Sequence, residues 1–524
     1  MLISRLHGDG ILEYNVRNLF PGTGVSEYQP YMRKKMKKTL FALAAGVAVA
    51  GCCSLCCGDK PYAETIDEGF VSLFNGKDLS GWVGATGMYG VETIKVKMRG
   101  TQREKEFQVL SCFPERHVKG QPGNLCTAKE YENFILRFEF CMPENGNNGL
   151  GLRMTDPNKD AAYYGMCELQ LLDDGGSKYY DAAAKKDLLK PYQYTASVYG
   201  IVPARRDNFN QTKGKAKNYT LGGSYLKKAG EWNFEEVRVA GSRVQVILNG
   251  ILVTDADVSK FKGDGSDTMD GKKHPGLHNK KGRIGWLGHG SHVMWRNIRI
   301  KELPSDASLD KVCPCLNKEL AGFTRLFDGQ SLANWKGVTT VEKFHSPKVR
   351  QAATPEKRAE MQKIADGQMR DHWSIRNGAL FFDGLEGGYS LATVKDYKDF
   401  EMYVDWRILS VQGDSGLYLR GAPQVQIWDA HNQWDIGSGG LYNNKQNPSN
   451  ALCIADKLPG DWNRFYIKMV GEKVTVRLNG KTVVDNTTLE NYWDRANPIY
   501  PIEQIELQCH GDPLEFRNIY IREL

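Results

Sequence analysis

The chain has 524 residues, 41% of them apolar and 25% charged, with 69 Lys plus Arg against 62 Asp plus Glu for a formal charge of +7. This composition excludes a disordered chain, a collagen and a polytopic membrane protein, and at about 150 residues per domain the length provides for two to four domains. Most of the positive excess lies in residues 1–51, which hold Arg5, Arg17, Arg33, Lys34, Lys35, Lys37 and Lys38, so the remainder carries no electrostatic footprint for nucleic acid as a partner. The 55 Gly, 24 Tyr and 11 Trp lean toward a turn-rich, all-β chain.

From the N-terminus, Met32-Arg-Lys-Lys-Met-Lys-Lys is a basic segment and Leu40 to Ala50 an apolar run too short to span a bilayer. Together they read as an export signal. The run closes on Val49-Ala50-Gly51-Cys52, which resembles a bacterial lipobox, with Cys52 the lipidated residue. The expectation is a lipid-anchored protein of the cell envelope, at the outer membrane or the periplasmic face, with the membrane as a partner through that lipid. Residues 1–31 precede a complete signal, so translation is expected to start at Met32 or Met36, and 1–57 is set aside as mis-assigned start, leader and Cys-rich tether. The remaining cysteines (Cys112, Cys126, Cys141, Cys167, Cys313, Cys315, Cys453, Cys509) show no metal spacing. In an exported chain some could pair; several sit in strand-like runs and read equally as buried small apolar residues.

The rest is one pattern written twice. Gly69-Phe-Val-Ser-Leu-Phe-Asn-Gly76 with Leu79 and Trp82 recurs as Gly322-Phe-Thr-Arg-Leu-Phe-Asp-Gly329 with Leu332 and Trp335. Glu231-Trp-Asn233 recurs as Asp461-Trp-Asn463, Leu248-Asn-Gly250 as Leu478-Asn-Gly480, and Trp295-Arg-Asn-Ile-Arg-Ile-Lys-Glu-Leu303 as Phe516-Arg-Asn-Ile-Tyr-Ile-Arg-Glu-Leu524. Between these landmarks apolar residues alternate with period two, as at Phe134, Leu136, Phe138 and Phe140, and at Phe400, Met402, Val404, Trp406 and Ile408. That is the signature of half-buried antiparallel strands. Asn249-Gly250 and Asn479-Gly480 mark hairpins. One helix is expected, from Thr354 to Gln368. The fold class is therefore all-β, two tandem jelly-roll β-sandwiches, with the first domain at 65–303, a linker at 304–317 and the second domain at 318–524.

Four features recur in both copies and could carry chemistry. Glu168-Leu-Gln170-Leu-Leu-Asp173 is answered by Gln424-Val-Gln426-Ile-Trp428-Asp429; residues two apart on a strand share a face, so 168 and 170 form a polar pair fit for acid/base work and for orienting a substrate, and 173 reaches that face only through a bulge or turn. Arg153 and Arg420 end apolar alternations, where a guanidinium could hold hydroxyl or carbonyl oxygens or pair with a neighbouring acid. His289 and His510, flanked by glycine before the last strand, are candidate bases or metal ligands. Tyr199 and Tyr442 could stack on sugar rings. His274, His278, His292 and His431 have no counterparts and read as surface or structural. No Gly-x-Ser-x-Gly elbow, His-Glu-x-x-His, phosphate loop or dinucleotide fingerprint is present, so no nucleotide cofactor is expected. Neither copy supplies the paired carboxylates of an ordinary jelly-roll glycosidase.

In their order, the leading Gly-Phe-x-x-Leu-Phe-[Asn/Asp]-Gly, the Gly-Leu-x-Leu-Arg, the [Glu/Asp]-Trp-Asn, the Leu-Asn-Gly and the closing Arg-Asn-Ile-x-Ile-x-Glu-Leu resemble the 3-keto-disaccharide hydrolase family (3-keto-glucoside 1,2-lyase/3-keto-2-hydroxy-glucal hydratase domains), over about 69–303 and 318–524. Copy one departs from the family pattern by insertions around 93–107 and 178–230, and reads Asn-Asn-Gly where Asn-Ser-Gly is usual. The resemblance implies a concanavalin A-like jelly roll and a carbohydrate-active lyase or hydrolase acting on 3-keto-glucosides or other oxidised glycans. A ketone at C3 acidifies the C2 proton, so one base can remove it and expel the C1 substituent, and water can then add to the glycal. The catalytic expectations are Glu168 or His289 as base in copy one, and His510 with Asp429 in copy two. Arg153 and Arg420, or a divalent metal held by the Glu/Asp/His set, would stabilise the oxyanion, with Gln170, Asp173, Tyr199, Gln424, Gln426 and Tyr442 binding substrate. The alternative reading is a non-catalytic glycan-binding surface lipoprotein.

Overall fold

In the computed structural model, residues 62–119, 123–156, 165–206, 225–384 and 390–524 are described. The basic segment, the apolar run, Cys52 and its neighbouring cysteines lie outside the described residues. Among the described residues no helix is long and apolar enough to cross a membrane. All eight cysteines from Cys112 to Cys509 are free thiols, five of them buried.

The two copies fold alike. Each pairs an eight-stranded sheet with a five-stranded one, and strand order is the same in both. In the first half the large sheet runs Ile251–Asp257, Arg243–Leu248, Trp232–Ala240, Phe134–Cys141, Met294–Glu302, Glu104–Cys112, Tyr89–Lys97, with Val71–Ser72 paired to Met294–Glu302. In the second it runs Lys481–Thr488, Lys473–Leu478, Asn463–Val470, Phe400–Ile408, Leu514–Glu523, Ala379–Phe382, Trp373–Arg376, with Thr324–Arg325 paired to Leu514–Glu523. The small sheets run Trp82–Gly84, Asn124–Thr127, Arg283–Leu287, Asn147–Met154, Cys167–Leu172, and Trp335–Gly337, Leu391–Thr393, Glu506–Gln508, Asp414–Leu419, Ala422–Trp428. Both halves are jelly-roll β-sandwiches.

Alternation explains which face is buried. Phe134, Leu136, Phe138 and Phe140 of the large sheet meet Leu150, Leu152, Leu169, Leu171 and Trp286 of the small one, all in one cluster. Each such side chain contributes about 1.5–3 kcal/mol by leaving water. One core position breaks the rule. Glu235 lies in line with Val237 and Val239, is fully buried, and has no hydrogen-bond partner on either carboxyl oxygen among the described residues. The second half has Phe465 at this place. Burial pushes the Glu235 carboxyl up to about 8 from its usual 4.5. The stability it allows is therefore highest below about pH 4.5 and is lost as pH rises through about 8. Glu235→Leu is expected to stabilise the protein by about 1–3 kcal/mol at neutral pH, the penalty of an unsatisfied buried polar group. Thermal melts should show the gain growing from pH 4.5 to 8.

The recurring motifs prove to be scaffold. Asn249 and Asn479 have φ of 46° and 50° and are followed by Gly250 and Gly480 at 87° and 79°, the paired left-handed residues of a type I′ hairpin turn. Their side chains donate to Asn233 Oδ1 and Asn463 Oδ1, each at 2.8 Å, tying this motif to the Trp-Asn motif. Asn297 and Asn518, at bulges with φ of 53° and 50°, donate at 2.7 Å to the buried carboxylates of Glu139 and Asp405. Trp82 and Trp335 donate through Nε1 to the carbonyls of Leu73 and Leu326, at 2.9 and 3.0 Å.

The expected helix runs from Pro355 to His372, four residues beyond Gln368, capped by the Thr354 side chain, which accepts from Lys357 N at 3.2 Å. A second, six-residue helix, Pro347–Ala352, precedes it. Both halves belong to one unit, Lys60–Leu524. Where they meet, Arg137 donates across to Asp461 at 2.6 Å and within the first half to Glu236 and Glu68 at 2.6 and 2.8 Å, and Arg407 of the second half lies 3.6 Å from Glu236.

Candidate active site

The outer face of each five-stranded sheet gathers the recurrent polar residues. Leu150, Leu152, Leu169 and Leu171 point into the core, so Gly149, Gly151, Glu168 and Gln170 point out, with Gly149 opposite Gln170 and Gly151 opposite Glu168. The Glu168 carboxyl folds over Gly149: a Cβ there would stand 2.7 Å from Glu168 Oε1 and 2.9 Å from Leu287 Cδ1. Glycine here lets the Glu168 carboxyl and Leu287 lie against the strand; a Cβ would push both side-chain ends aside.

Around Glu168 the face is apolar. Leu287, Met154, Met166 and Cys126 form a satellite cluster on it. Glu168 has no ion-pair partner among the described residues, and burial alone pushes its carboxyl up to about 8. Part of the side chain remains open to solvent. His289 follows the Arg283–Leu287 strand two residues beyond Leu287, outside the strand itself. It is exposed at the rim, and the surrounding protein holds its pKa below the ordinary value. Tyr199 completes the edge: its N–H donates to the Glu168 carbonyl at 2.9 Å, and the Leu169–Val198 bridge turns its ring outward, against Tyr192 at 5.5 Å.

In the second half the same places hold a different set. Gln424 donates to Gln426, which donates to Asp414 Oδ1 at 2.7 Å. Over Gly416 a Cβ would meet Gln508 Oε1 at 2.9 Å and Gln424 Nε2 at 3.1 Å. His510, exposed, has Nδ1 3.9 Å from Asp414 Oδ2. Burial pushes Asp414 up, against the pull of His510, Gln426 and Arg99. Glu506 lies on this face as well, where the first half has Gly285; burial pushes it up to about 7, opposed by Arg350 and by the hydrogen bond from Gln504.

So Glu168, Gln170 and Tyr199 come together, as do Gln424, Gln426, Tyr442 and His510, while His289 lies just beyond the end of the Arg283–Leu287 strand with no hydrogen bond or ion pair to Glu168. Four other expected residues do not join them. Arg153 donates to the carbonyls of Glu132 (2.9 and 2.7 Å) and Gly241 (2.8 Å), and Arg420 to Pro501 (3.1 Å) and Gly471. Both have left-handed φ, 55° and 49°, which ends the alternation and carries the side chain off the face. Asp173 accepts the Asn145 N–H at 2.8 Å, and Asp429 those of Gln412, His431 and Asn432 at 3.0, 3.2 and 3.1 Å; both staple loops. The partner facing His510 is accordingly Asp414, not Asp429. Asp414 and Gln508 escaped the sequence reading, although each lies two residues from a recognised position and alternation would have reached it. Among the described residues no group of three or more His, Cys, Asp or Glu side chains is gathered to hold a metal ion.

The model of the 3-keto-alpha-glucoside-1,2-lyase-like domain matches residues 69–301 and 322–522. The chain belongs to this family. Its members are carbohydrate-active enzymes, and the family covers both halves. A 3-keto-disaccharide hydrolase of Bacteroides thetaiotaomicron is 27% identical over 257 residues, covering 45% of this chain and 79% of that protein. Two crystal structures of provisionally named glycosyl hydrolases from Parabacteroides distasonis are 28% and 20% identical, cover 45% and 46% of this chain and 99% and 100% of theirs, and superpose with TM-scores of 0.32 and 0.34.

Proposed function

We propose that the first half cleaves 3-keto-glycosides by elimination across C1 and C2, with His289 as base and Glu168 as acid. What supports this reading is Glu168 on the outer face, with His289 just beyond the Arg283–Leu287 strand of the same sheet; burial holds the Glu168 proton up to about pH 8, and the surrounding protein keeps the His289 pKa below its usual value. At neutral pH the pair is thus His and COOH.

Neutral His289 takes the C2 proton, which the C3 ketone has acidified. The C–H electron pair becomes the C1=C2 double bond, the C1–O bond breaks, and the departing oxygen takes the Glu168 proton. Gln170 accepts the Leu171 N–H at 3.1 Å through Oε1, which leaves its amide N–H groups to donate to the enolate oxygen. After elimination His289 is protonated and Glu168 ionised, the states that addition of water to the glycal requires. Glu168 removes a proton from the water attacking C1, and His289 returns one to C2. The net reaction is hydrolysis.

One base and one acid suffice, whereas displacement at an anomeric carbon needs two carboxyl groups. The pH profile tests the assignment. Elimination is expected to rise as His289 loses its proton below its usual 6.5 and to fall as Glu168 ionises near 8. A rate that climbs through pH 8 and stays high would make ionised Glu168 the base and remove His289 as a required acid or base. The reaction is followed by mass spectrometry with a 3-keto-glucoside: a product one water lighter than the free 3-keto-sugar marks elimination, and an alcohol released with no such product at any time marks direct displacement.

A further inference from the structure

We propose that the outer face of the second half's five-stranded sheet is a separate, non-catalytic site for an uncharged glycoside, and that the first half builds one wall of it. The floor is a row of amides. Gln424 and Gln508 converge over Gly416 and Gln426 lies beside them. Gln508 is only 8% exposed, and its Oε1 is buried without a hydrogen-bond partner among the described residues. A buried amide oxygen left bare is destabilising, and a ligand hydroxyl would satisfy it. The first half has Leu287 at this position. Where the first half has Glu168 the second has Gln424, which has no proton to give to a leaving group, and Glu506 on the same face is engaged by Gln504 at 2.8 Å and Arg350 at 3.6 Å, so on this proposal the face binds without cleaving.

The wall is aromatic. Trp428 stands in the same row as Gln424 and Gln426 and stacks on Trp434, with centroids 4.3 Å apart and planes at 11°. Tyr442, 48% exposed, meets Trp428 edge-on at 5.5 Å. Trp428 is itself 3% exposed, so the open aromatic surface is that of Trp434 and Tyr442; beside a line of neutral amides it suits a pyranose, whose C–H face stacks while its hydroxyls exchange hydrogen bonds with the amides. The first half has Leu172 in place of Trp428.

The first half holds this wall in position. Its Tyr89–Lys97 and Glu104–Cys112 strands form a hairpin whose tip reaches the Trp434 loop. Arg99 N–H donates to the Gln433 carbonyl at 2.7 Å, and its guanidinium lies 5.9 Å from the Trp434 ring. Arg103 pairs with Asp435 at 3.1 Å, and Lys105 donates to the His431 carbonyl at 3.1 Å. Separately, the buried Lys227 ammonium donates to the Val411 carbonyl at 2.8 Å, in the turn that leads into Asp414. Both attachments come from the two stretches, around 93–107 and 178–230, where the first copy departs from the pattern of the second.

The inference rests on the proposed function only for its choice of probe. Full-length protein carrying Glu168→Gln is titrated calorimetrically with a 3-keto-glucoside and with its unoxidised parent glucoside. Two equivalents of the 3-keto-glucoside are expected. Gln508→Leu and Trp434→Ala, each added to Glu168→Gln, should remove one equivalent, and Arg99→Ala should weaken that equivalent by about tenfold. In the otherwise wild-type protein these three changes should leave turnover untouched. A single equivalent indifferent to Gln508→Leu and Trp434→Ala overturns the second site, and an affinity indifferent to Arg99→Ala overturns the composite wall. Should the wild-type protein fail to turn over the 3-keto-glucoside, the proposed function fails; loss of the parent glucoside's binding on Gln508→Leu would still support the second site.

Discussion

Glu168→Gln is expected to lower turnover of a 3-keto-glucoside by about 10²–10⁴-fold, the contribution of a positioned acid or base, and to make the protein more stable at the same time. Both effects come from one environment. The Glu168 carboxyl lies over Gly149 against Leu287, with Met154, Met166 and Cys126 on the same face, and burial pushes it up to about 8. A carboxyl raised in the folded state favours folding fully below its unfolded value near 4.5, and that contribution is lost as pH rises through about 8. The amide never ionises, so the variant should gain on the wild type across this interval, most at its upper end. Loss of activity with a raised melting temperature distinguishes a lost proton donor from a damaged fold. His289→Ala should lose activity to a similar degree, whereas His510→Ala should retain it, because the second half has Gln424 in the acid position. Initial rates on the three variants, with melts at pH 5 and 8, check the set. Full turnover by Glu168→Gln would remove it from the mechanism.

The fold was readable because its rules are local. Alternation at Phe134–Phe140 and Phe400–Ile408, and Asn-Gly between apolar runs, depend only on strand period and turn stereochemistry, and the strands and hairpins lie where these place them. The Pro347–Ala352 helix has one buried residue and no apolar period to betray it. The site was half legible for a different reason. Residues that recur in both copies, such as Asn249 and Asn479 or Arg153 and Arg420, recur because they hold the backbone, and a search by recurrence finds scaffold first. Arg153 and Arg420 were misplaced because one left-handed φ at the end of a strand redirects a side chain, and φ is not written in alternation. Differences between the copies carry the chemical information: Glu168 against Gln424, Leu287 against Gln508, Asn147 against Asp414.

The second large effect lies between the halves. Arg137→Met is expected to destabilise the protein by about 3–5 kcal/mol, the range for breaking a buried ion pair by removing one partner. Arg137 is 3% exposed and donates to Glu236 at 2.6 Å, Glu68 at 2.8 Å and Asp461 at 2.6 Å; its loss removes the cation these three share, leaving Arg238 and Arg407 beside Glu236, Arg299 beside Asp461, and no ion-pair partner at Glu68 among the described residues. Met keeps most of the volume, which confines the effect to charge. The acid response follows from the same contacts. Burial opposes ionisation of Glu236, but Arg238, Arg137 and Arg407 outweigh it and hold the carboxyl well below its usual value. Glu68 is held down in the same way by Arg137 and Arg407. Carboxyls lowered in the folded state add stability above their unfolded value near 4.5 and lose it as pH falls toward the folded value. Wild-type stability should therefore fall more steeply below pH 4.5 than that of Arg137→Met, and the two should converge in acid. Urea unfolding of both proteins at pH 7 and pH 4 tests this. A difference of less than about 1 kcal/mol at pH 7, the size of an exposed pair, would mean that the cluster is hydrated and that apolar contacts hold the halves together.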